Sequence, residues 1–255
     1  MTINNQYNDF IELQSRYPRT VGNDYLLPLE IRRRLEYGNL SFFADDKALF
    51  IFEQREGFRK LHFRLISDDA KLPPCDGTLA AFLTYRKGRY PDKAADWLRS
   101  QGFIYKKTLE RHTAAGIAGS LSNEGIENAS ADEVYSMFSE YFDAVEADMP
   151  PREMFEPGNS YCARSAEGEP LGILYDMGRT LIVAVSDKAR GQGIGRRLYR
   201  AFALGKSGGN RNYVFHEWIS PDNKASLAMF KSLGFAPDAT MSDCYIKENV
   251  YGQNS

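Results

Sequence analysis

The chain has 255 residues, 43% of them hydrophobic and 26% charged, enough for one large core or two ordinary globular domains. A formal net charge of −2 leaves no overall basic excess to drive binding to nucleic acid or an anionic membrane surface. Cys75, Cys162 and Cys244 are too scattered for a disulfide framework, and His62, His112 and His216 do not fall at metal-ligand spacings, so no metal is expected.

The N-terminus, MTINNQYNDFIELQSRYPRT, lacks a cationic stretch followed by an apolar one, and no apolar run approaches membrane-spanning length. The expectation is a cytoplasmic monomer or homodimer. Asp9–Tyr17 and Leu27–Gly38 read as amphipathic helices, the second closed by Gly38. NLSFFAD and ALFIFEQ then read as strands joined by the polar turn Asp45-Asp46-Lys47, and Leu61, Phe63 and Leu65 alternate in a further strand after Gly57. Thr78–Arg86 is another strand candidate. Pro91–Phe103 is a short helix with proline near its start and Gly102 at its end, and IYKKTLERHT alternates again.

Ala114–Gly125, poor in large apolar residues and rich in Gly, Ser and Ala, has the chemistry of a linker. The expected organisation is therefore one domain over residues 1–115, a linker over 116–125 and a second domain over 126–255. In the second, Ser130–Val145 is a helix with Ser130 as N-cap and Asp132 and Glu133 in the first turn; Val134, Met137, Phe138, Tyr141, Phe142 and Val145 share its apolar face. SYCARSA, LGILYD and LIVAV give three strands in hairpin order. A glycine-rich loop, the helix RRLYRAFALGK, a strand at Tyr213–Ile219, the helix NKASLAMFKSLGF and a last strand near CYIKENV complete the chain.

The two halves echo each other. WLRSQGF at Trp97–Phe103 matches MFKSLGF at Met229–Phe235, an offset of 132 residues, with PDKAA and PDNKAS upstream. Any short helix ended by Gly-Phe would share the letters, but here the order of elements repeats as well. Where the second half has a glycine loop and a full helix, the first has only a short Pro-rich loop between its strands.

The loop Arg190-Gly191-Gln192-Gly193-Ile194-Gly195 follows a strand and opens a helix. Unpaired N–H groups there lie at the positive end of a helix dipole, and the missing Cβ atoms let phosphate oxygens approach the backbone. It is not a Walker loop, because Gly195-Arg196-Arg197 lacks Gly-Lys-Ser/Thr, and it is not a dinucleotide fingerprint, because one residue rather than two separates Gly193 from Gly195. A glycine-rich turn without a ligand is the bland alternative.

The loop resembles the pyrophosphate motif Q/R-x-x-G-x-G/A of the GCN5-related N-acetyltransferase (GNAT) superfamily. Asn223, Ser226, Phe230 and Leu233-Gly234-Phe235 resemble that family's second signature, N-x-x-A/S-x-x-x-Y-x-x-x-G-F. The resemblance covers most of Ile126–Val250. It implies an α/β (α+β) GNAT fold: a central mixed, mostly antiparallel sheet flanked by helices, in tandem with a degenerate GNAT-like N-terminal half that lacks the pyrophosphate loop.

It further implies a transferase moving an acetyl group from acetyl-CoA, as co-substrate, directly to a primary amine of a small molecule, without a covalent enzyme intermediate. A coenzyme A-binding sensor, a longer acyl or carrier-protein donor, and a protein or peptide acceptor are the alternatives. Backbone amides from Gln192 to Arg196, through Gly193, Ile194 and Gly195, would hold the diphosphate, with Gly191 in the same loop and the Arg190 side chain beside it. The backbone around Val183 and Val185 would pair with the pantetheine amides, and Asn223 and Ser226 would line its channel. Glu217, on the strand before Asn223, is the expected general base for the protonated amine; a solvent-facing or arginine-paired carboxylate is the alternative.

His216, on the opposite strand face, reads as a packing residue. The chain departs from the family at Phe230, where a tyrosine commonly protonates the leaving thiolate. Tyr245 and Tyr199 are candidate replacements, and Cys244 reads as structural. Tyr141, Asp143, Glu146, Asp148 and Glu153, with Tyr175 and Asp176, are candidates for a wall around a cationic amine.

Overall fold

The computed structural model describes residues 3–17, 21–23, 28–156, 158–177, 181–207 and 214–249. The chain divides into two compact units, Met1–Thr108 with Met241–Ser255, and Leu109–Thr240. The first unit contains α1 (Ile3–Ser15), β1 (Val21–Gly22), α2 (Pro28–Glu36), β2 (Leu40–Ala44), β3 (Ala48–Gln54), β4 (Arg59–Leu65), β5 (Gly77–Arg86), α3 (Asp92–Ser100) and the start of β6 (Ile104–Ala114). The second contains the rest of β6, β7 (Ile126–Glu127), α4 (Ala131–Tyr141), β8 (Ser160–Arg164), β9 (Pro170–Asp176), β10 (Leu181–Val185), α5 (Ile194–Ser207), β11 (Phe215–Ile219), α6 (Lys224–Ser232) and the start of β12 (Ala236–Asn249). Two strands thus carry the chain across: β6 begins in the first unit and ends in the second, and β12 does the reverse.

In the first unit β2, β3 and β4 form an antiparallel meander, with β1 antiparallel to β4. β5 joins β4 in parallel, Arg59–Leu61 facing Leu79–Ala81, and β12 flanks β5. The core gathers Phe50, Phe63, Leu79 and Trp97, whose ring lies 4.6 Å from Phe63 and 5.7 Å from Phe50. The indole N–H donates to the Ala70 carbonyl at 2.9 Å, satisfying the one polar atom that this burial traps.

The sequence echo is structural. Both α3 and α6 follow a strand, end on a glycine with positive φ (Gly102, +85°; Gly234, +93°) and lead into a strand. The closing hydrogen bonds repeat residue for residue: Phe103 N–H to Leu98 O and Phe235 N–H to Phe230 O, both at 3.0 Å. Only a left-handed residue lets the chain reverse to make this bond, and glycine takes that conformation without a Cβ clash.

In the second unit β7 to β10 form an antiparallel sheet, while β11 pairs antiparallel with β6. α4 starts with a full capping box: the Ser130 hydroxyl accepts from Glu133 N–H at 3.3 Å, and Ser130 N–H donates to the Glu133 carboxylate at 2.8 Å. The helix was expected to reach Val145 but stops at Tyr141. Phe142 is already extended, and the Asp143 carboxylate accepts from Glu146 N–H at 2.9 Å, offering the backbone a local turn instead. The last strand is longer than expected, beginning at Ala236. Residues 115–125 carry no helix or strand, and Ala118 N–H donates to Leu233 O at 2.9 Å. Tyr213, expected at the start of β11, lies outside the described residues, as does Val250.

One topological difference separates the two repeats. In the first unit the third meander strand, β4, is hydrogen-bonded to the next strand, β5. In the second, the corresponding strands β10 and β11 are not paired: among the described residues β10 bonds only to β9, and β11 only to β6.

Candidate functional site

β10, LIVAV, alternates, with Leu181, Ile182 and Ala184 buried and Val183 and Val185 half-buried. Ala189 closes a short 3-10 turn after the strand, and α5 begins at Ile194. Gly191 and Gly193 both sit at φ +77°, the left-handed region that a branched residue resists. A Cβ on Gly191 would meet nothing within 4 Å, so this surface of the loop is open. Gly195 has the opposite reason: a Cβ there would stand 2.6 Å from Met229 Sδ, because α6 packs directly on the first turn of α5.

The amides of Gly191, Gly193, Ile194, Gly195 and Arg196 donate to no carbonyl outside the helix among the described residues; the first such bond within the turn is Arg197 N–H to Gly193 O at 3.1 Å. These are the orphan donors of a helix N-terminus, grouped on an open, glycine-lined surface, and they fit an anion such as a diphosphate. The loop is braced from its back: the Gln192 amide donates to Lys188 O at 2.9 Å. Arg190 pairs with Asp187 at 3.0 Å and lies 5.7 Å over the Tyr141 ring, whose hydroxyl accepts from Asp187 N–H at 3.3 Å. Tyr141, expected in an acceptor wall, is therefore spent on the loop.

α5 runs from this nest beneath both unpaired edges. Leu198, Tyr199 and Phe202 join Phe215 and Ile219 of β11 in one core, with Val183 and Val185 of β10 packed against it. The result is a pair of strand edges sharing one supporting helix but making no ladder between them. Free N–H and C=O groups on β10 can take an extended amide-bearing ligand as an added strand.

On the α6 side, the Asn223 side chain accepts from Ser226 N–H at 3.0 Å and caps the helix. Asn223 itself is exposed and Ser226 half-buried, so both border the surface. Phe230 is buried: its ring meets Tyr199 edge-on at 5.0 Å and Phe235 at 5.1 Å.

The expected proton-handling groups lie elsewhere than anticipated. Tyr245 belongs to the core of the first unit, 1% exposed, with its hydroxyl 2.5 Å from that of Tyr90 and 3.4 Å from an Arg99 nitrogen. The C-terminal part of β12, from Met241 onward, belongs to that unit. Cys244, fully buried, lies in the same unit. Glu217 sits at the centre of β11, but its side chain points under α5 and is 4% exposed. Burial pushes its carboxyl well above the usual carboxylate range, opposed only by the facing Tyr199 hydroxyl. A raised carboxyl binds a proton more readily than an ordinary one, but burial under α5 keeps this one from open contact with solvent. His216, on the other face, is half-buried and has its pKa lowered by burial and by Arg111.

The remaining wall candidates are mostly structural. The Tyr175 hydroxyl accepts from Glu156 N–H at 2.7 Å, Asp176 pairs with Lys206 at 2.5 Å, and Asp143 caps its turn. Glu153 lines an open depression of about 350 Å³ with Ala131, Asp132, Arg152 and Phe155. There Arg152 pairs with Asp132 and lies 5.6 Å over the Tyr135 ring.

Residues 131–235 match the model of the Acetyltransferase (GNAT) family, a span that contains the glycine loop, both strand edges and the capped helix α6. Over this span the second unit is similar to the GNAT family. Solved structures carry the fold across both units. A tandem GNAT protein from the clavulanic acid biosynthesis pathway aligns with 99% of this chain and 96% of its own at a TM-score of 0.56 and 11% identity. A Drosophila protein aligns at 0.59 and 16% identity, over 78% of this chain and 74% of its own. A GCN5-related N-acetyltransferase from Sphaerobacter thermophilus aligns at 0.52 and 11%, over 88% and 86%. No curated protein matches the sequence. The chain thus has a tandem GNAT fold, with the glycine loop in its second repeat and the β4–β5 ladder in its first. Among the described residues no cluster of His, Cys, Asp or Glu could hold a metal, and no helix is long and apolar enough to cross a membrane.

Proposed function

We propose that the second unit is an acetyltransferase domain that takes acetyl-CoA as co-substrate and passes its acetyl group to a primary amine of a small molecule. The observation that carries this reading is the group of unbonded amides at Gly191 and Gly193–Arg196, set beside the unpaired edge of β10. The thioester supplies an activated acyl carbon. The chain's own contributions follow from placement: the amides hold the diphosphate, the β10 backbone near Val183 and Val185 pairs with the pantetheine arm, and one of its N–H groups stabilises the oxyanion formed as the amine attacks. Asn223 and Ser226 line the arm at the α6 end. Phe230 stands behind them as packing.

The first unit, without a loop of this kind and with β4 bonded to β5, is in this reading a degenerate repeat that binds no coenzyme. A free monomer or homodimer with no nucleic-acid or membrane partner, in the cytoplasm, completes the proposal.

One observation favours a second reading, a coenzyme A-binding sensor. Phe230 has no hydroxyl, Tyr245 is buried in the first unit's core and Glu217 is 4% exposed with its carboxyl raised by burial, so each expected proton carrier is enclosed or lacks an ionisable group. Purified protein separates the two. Thiol release from acetyl-CoA in the presence of a panel of primary amines supports the transferase; saturable coenzyme A binding with no thiol release across the panel supports the sensor.

A further inference from the structure

Among the described residues, Tyr199 Oη, Glu217 Oε1 and His112 Nε2 belong to the buried polar atoms of the second unit that make no hydrogen bond of ordinary geometry. Two of them share a face by construction. Glu217 and His112 are directly opposite in the antiparallel pair β11–β6, so both side chains leave the sheet on the same side. That side packs beneath α5, from which the Tyr199 hydroxyl faces the Glu217 carboxyl. Phe230 and Phe235 lie edge-on to the Tyr199 ring at 5.0 and 6.1 Å and seal it from the α6 side. Buried polar groups are costly unless they meet a partner, and here the Tyr199 hydroxyl and the Glu217 carboxyl meet each other.

The location says what. α5 opens with the amide nest, and Tyr199 is its sixth residue, about one and a half turns below. β11 is one edge of the gap, and Glu217 is its central residue. The Tyr199–Glu217 contact therefore fixes the distance between the nest and that edge. We propose that Glu217 is a positioning residue for coenzyme binding, which holds α5 against β11 through its contact with Tyr199 and so keeps the diphosphate nest in register with the gap. This rests on the reading that the nest takes the coenzyme's diphosphate.

Burial favours the protonated carboxyl at this contact and outweighs the Tyr199 hydroxyl, which as a donor favours the ionised one. The groups facing Glu217 are Tyr199 from α5 and, from β6, His112 with Glu110, whose carboxylate lies 3.4 Å from His112 Nε2; among the described residues no Lys or Arg is paired with it. An ionised Glu217 would draw in water and part α5 from β11.

Coenzyme A binding to the full chain, measured by calorimetry at neutral and alkaline pH, tests this with wild type, Glu217→Gln, Glu217→Ala and Tyr199→Phe. Glu217→Gln keeps the shape and neutrality of the acid. It is expected to bind within about twofold of wild type at neutral pH and to hold that affinity when wild type weakens, by up to about tenfold per pH unit above the carboxyl's titration. Glu217→Ala and Tyr199→Phe are expected to bind several-fold more weakly at neutral pH. Titration of the coenzyme itself affects all four alike and cancels in the comparison. The inference is overturned if Glu217→Gln binds as poorly as Glu217→Ala, or if wild type and Glu217→Gln share one pH dependence. If wild type binds no coenzyme A at any pH, the ligand reading falls and the positioning role with it. A thermal-unfolding comparison of wild type with Glu217→Gln then still decides whether the carboxyl is held neutral: equal midpoints at all pH values would overturn that too.

Discussion

Gly172 of β9 lies against Ile194, the first residue of α5: a Cβ on the glycine would stand 2.8 Å from Ile194 Cγ2, 3.1 Å from the Ala184 carbonyl and 3.3 Å from Leu198 Cδ1. The helix that carries the anion nest is thus seated directly on bare strand backbone. Gly172→Ala cannot be absorbed by one flexible side chain, because the carbonyl on the next strand does not yield. It is expected to destabilise the chain by about 1–3 kcal/mol, typical of overpacking, and to weaken coenzyme A binding by displacing the nest. Chemical denaturation and calorimetry read the two effects separately.

A second prediction separates charge from backbone strain at the loop. Gly193, at φ +77°, resists any side chain, so Gly193→Ala carries the strain alone and is expected to weaken coenzyme A binding modestly. Gly193→Asp adds a carboxylate beside the diphosphate, and aspartate tolerates the left-handed region better than alanine does. Repulsion between two like charges ~4 Å apart near a protein surface makes the expected loss about a hundredfold or more. Equal affinities for the two variants would remove the loop from the coenzyme site.

The buried acid makes a pH-dependent statement about stability. Glu217's carboxyl is raised well above its ordinary value in the folded chain by burial, so between the unfolded value of about 4.3 and the folded one the native state binds a proton that the unfolded state has lost. Its contribution is complete at acid pH and declines as pH rises through that window. Glu217→Gln removes the decline, and its stability advantage over wild type is therefore expected to grow from weakly acidic to alkaline pH. Unfolding midpoints across that range check the sign.

Much of this site was legible because its signals are local. A glycine loop between a strand and a helix forms from neighbours in sequence, and the helix-closing Gly-Phe pairs could be aligned at an offset of 132 and then found with the same hydrogen bonds. Period-two alternation separated Glu217 from His216 correctly, since one is buried under α5 and the other half-exposed. Alternation names two faces but not what covers each, and so it could not tell a gap-facing carboxylate from a buried acid.

Tyr245 shows a different limit. Its strand is continuous from Ala236, yet the chain changes unit along it, and nothing in a run of alternating residues marks that passage. The absence of pairing between β10 and β11, against the ladder between β4 and β5, is likewise a long-range property. Only the missing loop of the first half hinted at it.

Tyr245 has its own test. With its hydroxyl shared between Tyr90 and Arg99 in the first unit, Tyr245→Phe is expected to cost about 1 kcal/mol of stability, and to leave both coenzyme A affinity and any thiol release from acetyl-CoA unchanged. A selective loss of turnover at wild-type affinity would return Tyr245 to the chemistry.

The central claim is that backbone amides at the start of α5 clasp the diphosphate of coenzyme A, and backbone NMR of the isotope-labelled chain titrated with coenzyme A tests it most directly. The account predicts saturable, concerted shifts of the Gly191, Gly193, Ile194, Gly195 and Arg196 amides, with smaller ones along Val183–Val185 and none of that size in the first unit. Shifts confined to other residues, or amides at 191–196 that stay fixed while the coenzyme binds, would contradict it.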